Sequence, residues 1–146
     1  MQEYILEESV GYITRNFFAA LRERLSADFK ENDFDISIDE WVALSFLNRF
    51  DDKNQQQLGE LLLQEKTAVT RLLDCMQKEG IIEKTVDKDD KRNKIIRLTE
   101  KGKECYKNVV PVVEKAISDA QFGISPEEIE SAKLIIRKMR GNLLGK

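Results

Sequence analysis

The chain has 146 residues, 41% of them hydrophobic and 35% charged, with a formal net charge of −3. That length carries one domain with a real core and is too short for two ordinary ones. Its N-terminus shows neither a basic n-region nor an apolar h-region, and no apolar run reaches the roughly 20 residues a membrane helix needs; a cytoplasmic protein with no membrane partner is expected.

The first element is a long helix over residues 3–30. Ile5, Leu6, Val10, Ile13, Phe17, Leu21 and Leu25 recur at helical spacing, Phe18 widens the stripe, and only Gly11 weakens it. A stripe this long exceeds what a small domain buries alone, so it is expected to meet a partner. Residues 31–35 form a polar connection. Ser37-Ile38-Asp39-Glu40 fits a capping box, in which hydroxyl and carboxylate each satisfy an orphan amide. The helix behind it carries Trp41, Val42, Leu44, Phe46 and Leu47. Trp41 is the only tryptophan. It belongs first to the core and second to the wall of a ligand pocket, since pockets favour aromatic side chains at element junctions.

Asn54 can cap a short helix over residues 55–62, with Gln57 reaching back. A longer helix then runs over about 66–79. Val69, Leu72, Leu73 and Met76 form its apolar face, while Lys66, Thr67, Thr70 and Arg71 lie elsewhere in its first two turns. A core helix also carries a solvated outer face. A helix that enters a DNA major groove, however, meets base edges and phosphates with its N-terminal residues; threonine can donate, accept or touch a thymine methyl, and arginine can fork onto guanine. Glu65 stands where the cap should be and is a weaker cap than Asp or Ser.

Gly80 is a helix stop. Ile81, Ile82, Lys84 and Val86 suggest one strand, and Ile95, Ile96 and Leu98 a second. The segment between them, Asp87 to Lys94, has no apolar residue and cannot be core. It is either a solvated hairpin tip or a place where Arg92 is offered to a minor groove, whose narrow segments attract cations. In the second case Asp90 holds Arg92 extended through a charge-assisted bond, with Lys91 and Lys94 beside it.

Thr99 is a good cap for another long helix, with Tyr106, Val109, Val110, Val113, Ile117 and Ala120 as its stripe. Pro111 lies inside that run, so a bend near Lys107 is expected. Ser125-Pro126-Glu127-Glu128 opens the last helix, with Ile129, Ala132, Ile135, Ile136, Met139 and Leu143 on its inner face. The apolar helices at the two ends, residues 3–30 and about 103–144, are the expected dimer platform, pairing about a two-fold axis.

Charge is unevenly placed. Residues 53–103 hold 12 Lys and Arg against 9 Asp and Glu, and the rest of the chain 12 against 18. A locally basic head thus stands on an acidic body, which is what matters for nucleic acid rather than the total. The chain has 2 cysteines and no histidine. A histidine-based zinc site is therefore excluded, and two thiolates cannot complete a four-cysteine structural site. Neither a metal nor a cofactor is expected. Cys75 and Cys105 fit half-buried small hydrophobes; a redox switch would need an accessible, thiolate-favouring setting. There is no glycine-rich phosphate loop and no nucleophile paired with a base, so an enzyme is not expected.

Helix, turn, longer helix, strand, charged turn and strand, in that order, make a winged helix-turn-helix over about residues 37–102. The fold class is mostly α with a small β-wing, flanked by N- and C-terminal dimerisation helices. Asp90-Lys91-Arg92 followed by Leu98-Thr99-Glu100-Lys101-Gly102 resembles the D-x-R…L-T-x-K-G signature of the MarR family of bacterial transcription regulators. Leu58-Gly59-Glu60-Leu61-Leu62 and Ala68 to Asp74 are similar to that family's helix-turn-helix, and Lys78-Glu79-Gly80-Ile81-Ile82 to the entry of its wing. The turn Leu63-Gln64-Glu65 departs from the family pattern of a small residue, a hydrophobic one and Asp. The resemblance implies a homodimeric repressor of a near-palindromic double-stranded operator. Lys66, Thr67, Thr70 and Arg71 would sit in the major groove, and the wing residues Asp90, Lys91, Arg92 and Lys94 at the minor. It also implies a pocket for a small aromatic or phenolic effector. A winged-helix protein-docking module without specific DNA binding is the alternative.

Overall fold

The structure is a computed structural model that describes residues 1–145. Six α-helices and one hairpin follow in order: α1 (Val10–Glu31), α2 (Ile38–Arg49), α3 (Gln55–Leu62), α4 (Lys66–Lys78), β1 (Ile82–Val86), β2 (Lys94–Leu98), α5 (Glu100–Ala120) and α6 (Pro126–Leu144). The chain divides into two compact units, one over Met1–Val113 and one from Glu114 onward.

In the first unit, the core draws Ala43, Leu44 and Leu47 from α2, Leu58 from α3, and Val69, Leu73 and Met76 from α4. Ile81, Ile82, Ile96 and Leu98 come from the hairpin region. The apolar positions at helical period on α4 are therefore the ones that go inside, and Leu72 packs against their edge. The capping boxes of α2 and α3 both form: Ser37 and Asn54 accept from the amides of Glu40 and Gln57, and the Glu40 and Gln57 side chains return the bond.

The strands pair antiparallel in the register Ile82↔Leu98 to Val86↔Lys94. A third segment, whose sequence carries no strand pattern, joins them. The Ile96 amide donates to the Lys53 carbonyl at 3.0 Å, and Asn54 bridges Ile95. The turn between α2 and α3 is thus an edge of the wing.

One helix assignment differs from expectation. The N-terminal helix begins at Val10, not at residue 3, with a single 3-10 turn over Leu6–Glu8 ahead of it. Ser9 makes the division: its hydroxyl donates to the Leu6 carbonyl at 2.6 Å and accepts from the Tyr12 amide at 3.3 Å, closing one turn and capping the next. Pro111 lies inside α5, Glu100–Ala120, at an exposed position.

Both terminal helices keep apolar surface. In α1 only Leu25 and Phe29 are buried, while Val10, Ile13, Phe17 and Phe18 are each about half exposed. In α6 no residue is buried, and the face expected to turn inward, with Ile135, Ile136, Met139 and Leu143, is exposed. Among the described residues no helix is long and apolar enough to cross a membrane.

Candidate nucleic-acid interface

α4 starts at Lys66, as its sequence suggests, although Glu65 makes no side-chain cap bond. What turns the chain is Leu63, whose left-handed backbone (φ 56°) ends α3 and leaves its side chain in solvent. Lys66, Thr67 and Arg71 are exposed on the first two turns of α4. Thr70 is half-buried and committed: its hydroxyl donates to the Lys66 carbonyl at 2.9 Å and accepts from Gln55 Nε2 at 2.8 Å. The first residue of α3 is therefore tied to α4, and Thr70 has only its methyl left to present.

The far end of α4 is held firmly. The Ile81 amide donates to the Met76 carbonyl and the Gly80 amide to the Gln77 carbonyl, each at 3.0 Å, with Gly80 at φ +77°. This double bond pattern needs a left-handed residue after the helix, which glycine adopts without strain. On the outer face Asp74 accepts from Lys84 of β1 at 2.7 Å, and the lysine side chain is only 11% exposed. The hairpin and α4 consequently move as one piece.

The wing tip is built by its own aspartates. Asp87 Oδ1 accepts the Asp89 amide and Asp90 Oδ1 accepts the Arg92 amide, both at 3.0 Å; the Asn93 amide returns to the Asp90 carbonyl, and the Asp87 amide to the Asn93 carbonyl. These two side chains thus shape the loop through local backbone bonds. The charge-assisted bond expected between Asp90 and the Arg92 guanidinium is present only as a long ion pair and is not the principal contact. Nε stands 3.9 Å from the carboxylate, which is already occupied by the closer amide, and the arginine side chain is 96% exposed. Arg92 projects from a fixed backbone rather than from a fixed ion pair.

Several of the local cations are unopposed. Arg97 pairs with Asp52 at 2.7 Å, and that carboxylate holds the guanidinium pKa up. Among the described residues, no ion pair ties Lys66, Arg71, Lys91 or Lys94 within the chain, and all four are exposed. A surface like this lowers its own repulsion by taking up phosphate.

Trp41, expected first in the core, is not among the buried core residues. It is half-buried and stacks on Tyr106 of α5, with ring centroids 5.6 Å apart and planes at 11°. A cleft of about 380 Å³ opens elsewhere, lined by Leu47, Asn48, Asp51, Asp52, Arg97, Leu98 and Lys103, and Trp41 does not border it. Both cysteines disfavour the thiolate. Cys75 is exposed rather than half-buried, and its thiol is raised by the Glu79 carboxylate it bonds. The Cys105 thiol is raised chiefly by burial.

Residues 34–93 match the model of the MarR family. The chain is similar in structure to BpsR of Bordetella bronchiseptica, whose DNA binding is regulated by 6-hydroxynicotinic acid; the TM-score is 0.85 at 18% identity, over 95% of this chain and 98% of that one. It is similar also to a MarR-family transcriptional regulator from Silicibacter pomeroyi (TM-score 0.81, 23% identity, 97% and 96% covered). MepR of S. aureus, solved as a DNA complex, gives a TM-score of 0.81 at 24% identity, over 92% and 98%. The matched segment thus takes in the helix-turn-helix and the first part of the wing, and the fold shared with these solved structures reaches through the flanking helices.

Proposed function

We propose that the chain is a cytoplasmic, homodimeric, sequence-specific DNA-binding regulator that represses from a near-palindromic operator, by binding and not by turnover. The observation that carries this is the front of α4. Lys66, Thr67 and Arg71 are exposed and unpaired there, on a helix whose rear is locked to the hairpin. Lys66, Thr67, Thr70 and Arg71 face the major groove, with Arg71 reading guanine and the Thr70 methyl reading thymine. The wing tip, shaped by Asp90, offers Arg92 to the minor groove and Lys91 and Lys94 to phosphate.

Two such heads one turn of DNA apart, roughly 34–36 Å, read the two halves of a palindrome. The dimer is made by the exposed apolar faces of α1 and α6, which would otherwise stay in water. Regulation acts on the spacing of the heads, through a small aromatic effector that binds one spacing better than the other. The Trp41–Tyr106 stack is the aromatic wall on which we place it.

The test is fluorescence anisotropy on the DNA upstream of the chain's own gene against a scrambled duplex, titrated with salt. Expected are tighter binding to the genuine fragment, a linear fall on a log–log salt plot, and loss of the preference in Arg71→Ala. Equal, weak binding to both duplexes, together with a DNA-independent and salt-insensitive protein complex, would replace this reading with a protein-docking module.

A further inference from the structure

Glu40 is not explained by capping alone. It is buried, 7% exposed. Its Oε1 accepts the Ser37 amide at 3.4 Å and so closes the capping box of α2. Its Oε2 is fully buried and meets no hydrogen-bond donor, a costly arrangement for a carboxylate. The Glu40 carboxylate lies among acidic groups instead. One ligand atom from each of Glu40, Cys75 and Glu79 lies within 4.8 Å of the other two.

The three come from different parts of the lobe. Glu40 is in the first turn of α2. Cys75 is on α4, and Glu79 is the residue that caps α4 at its C-terminal end. The spacing of four places Cys75 and Glu79 on one helix face, and Sγ lies 3.3 Å from Glu79 Oε1. A thiolate and a carboxylate on one tetrahedral zinc ion, with bonds of about 2.3 and 2.0 Å, stand about 3.5 Å apart. These two atoms are already at that separation.

Among the described residues, no lysine pairs with the carboxylates of the cluster. The Lys101 ammonium beside it donates to the Glu79 backbone carbonyl, at 2.7 Å. A divalent cation held by the three would give the buried Glu40 carboxylate the partner it lacks.

We infer that Glu40, Cys75 and Glu79 form a binding site for a divalent cation of the zinc class, with water in the fourth position. The mixed sulfur and oxygen donors select against magnesium and calcium, which take oxygen ligands only. The site would pin the last turn of α4 to α2, with positive charge at a helix C-terminus, where the dipole favours it. It belongs to the free protein, and its occupancy does not depend on DNA.

The experiment uses chelator-stripped full-length chain and Co²⁺ as a spectroscopic stand-in for zinc. Expected are one Co²⁺ per chain, a thiolate-to-cobalt charge-transfer band, its displacement by Zn²⁺, and a higher melting temperature with Zn²⁺ but not with Mg²⁺ or Ca²⁺. Cys75→Ser abolishes the band and Cys105→Ser leaves it. Glu79→Gln and Glu40→Gln weaken zinc by on the order of 100-fold or more, since loss of a mere outer partner of a metal ligand costs about 10–100-fold. Glu40→Gln keeps the capping box, which glutamine serves as well as glutamate, so its loss of binding is not a loss of fold. No thiolate band, or a band that survives Cys75→Ser, or zinc binding unchanged in both carboxylate variants, would overturn the inference.

Discussion

Gly102 sits at the joint between wing and body, and alanine there should cost about 2–3 kcal/mol. It is the third residue of α5 and is buried. A Cβ at this position would stand 2.2 Å from the Ile81 carbonyl oxygen and 3.2 Å from both the Ile81 carbonyl carbon and Leu98 Cδ2. Ile81 cannot yield freely. Its carbonyl accepts the Thr99 amide at 3.0 Å, while the Thr99 hydroxyl donates to the Gly80 carbonyl at 2.6 Å and accepts the Gly102 amide at 3.1 Å. To make room the carbonyl must retreat by about 1 Å, which breaks the bond to Thr99. Overpacking of this kind costs about 1–3 kcal/mol and a lost buried hydrogen bond about 1 kcal/mol. The helix propensity of alanine over glycine returns up to about 1 kcal/mol. Urea unfolding at fixed chain concentration, followed by Trp41 fluorescence, measures the difference. Gly11→Ala is the control: nothing lies within 4 Å of its Cβ, and in α1 it should gain a few tenths to about 1 kcal/mol. A Gly102→Ala protein within about 0.5 kcal/mol of the parent, or one that shifts in the same direction as Gly11→Ala, would refute the steric account.

The wing yields a prediction whose sign discriminates. Asp90→Ala removes a negative charge from the loop proposed to face DNA, so simple electrostatics expects tighter operator binding; because Asp90 builds the turn under Arg92, weaker binding is expected, read by anisotropy at fixed salt. Arg92→Ala, at a side chain 96% exposed, should leave the urea midpoint within about 0.5 kcal/mol of the parent while lowering operator affinity. Lys91→Ala should weaken all duplexes alike and reduce the log–log salt slope by about 1, whereas Arg71→Ala should cost about 1–3 kcal/mol on the operator and relax its sequence preference. In the metal-free protein, Glu40 is protonated more readily when folded (about 7) than at its ordinary value of 4.5. The stability this contributes is whole below pH 4.5 and is lost as pH rises through 7. At roughly 1.4 kcal/mol per pH unit the loss is at most about 3.5 kcal/mol, and Glu40→Gln should flatten it in urea titrations run across that window.

Features decided within a few residues are legible in the sequence alone. Lys66 as the start of α4, Gly80 as its stop, Thr99 as the cap of α5 and both capping boxes are matters of a side chain or a φ angle meeting a nearby amide. The apolar period of α4 locates its buried face for the same reason. What stays hidden joins residues far apart in sequence and leaves no period: Lys53 on Ile96, Gln55 on Thr70, Asp74 on Lys84, Glu40 beside Cys75 and Glu79. The charge-assisted bond expected between Asp90 and Arg92 is long, 3.9 Å, for a local reason, since an amide two residues on competes for the same oxygen and loses less entropy than a long side chain. α4 is accordingly two half-helices with opposite tolerances. Its front bears Lys66 and Arg71, exposed and in no ion pair among the described residues, so changes there are expected to cost little in folding and, on the proposed function, much in operator binding. Its rear is tied by the Gly80 turn, by Lys84 and by Met76 in the core. Substitution there is costly for folding first, and reaches DNA only by letting the front half move.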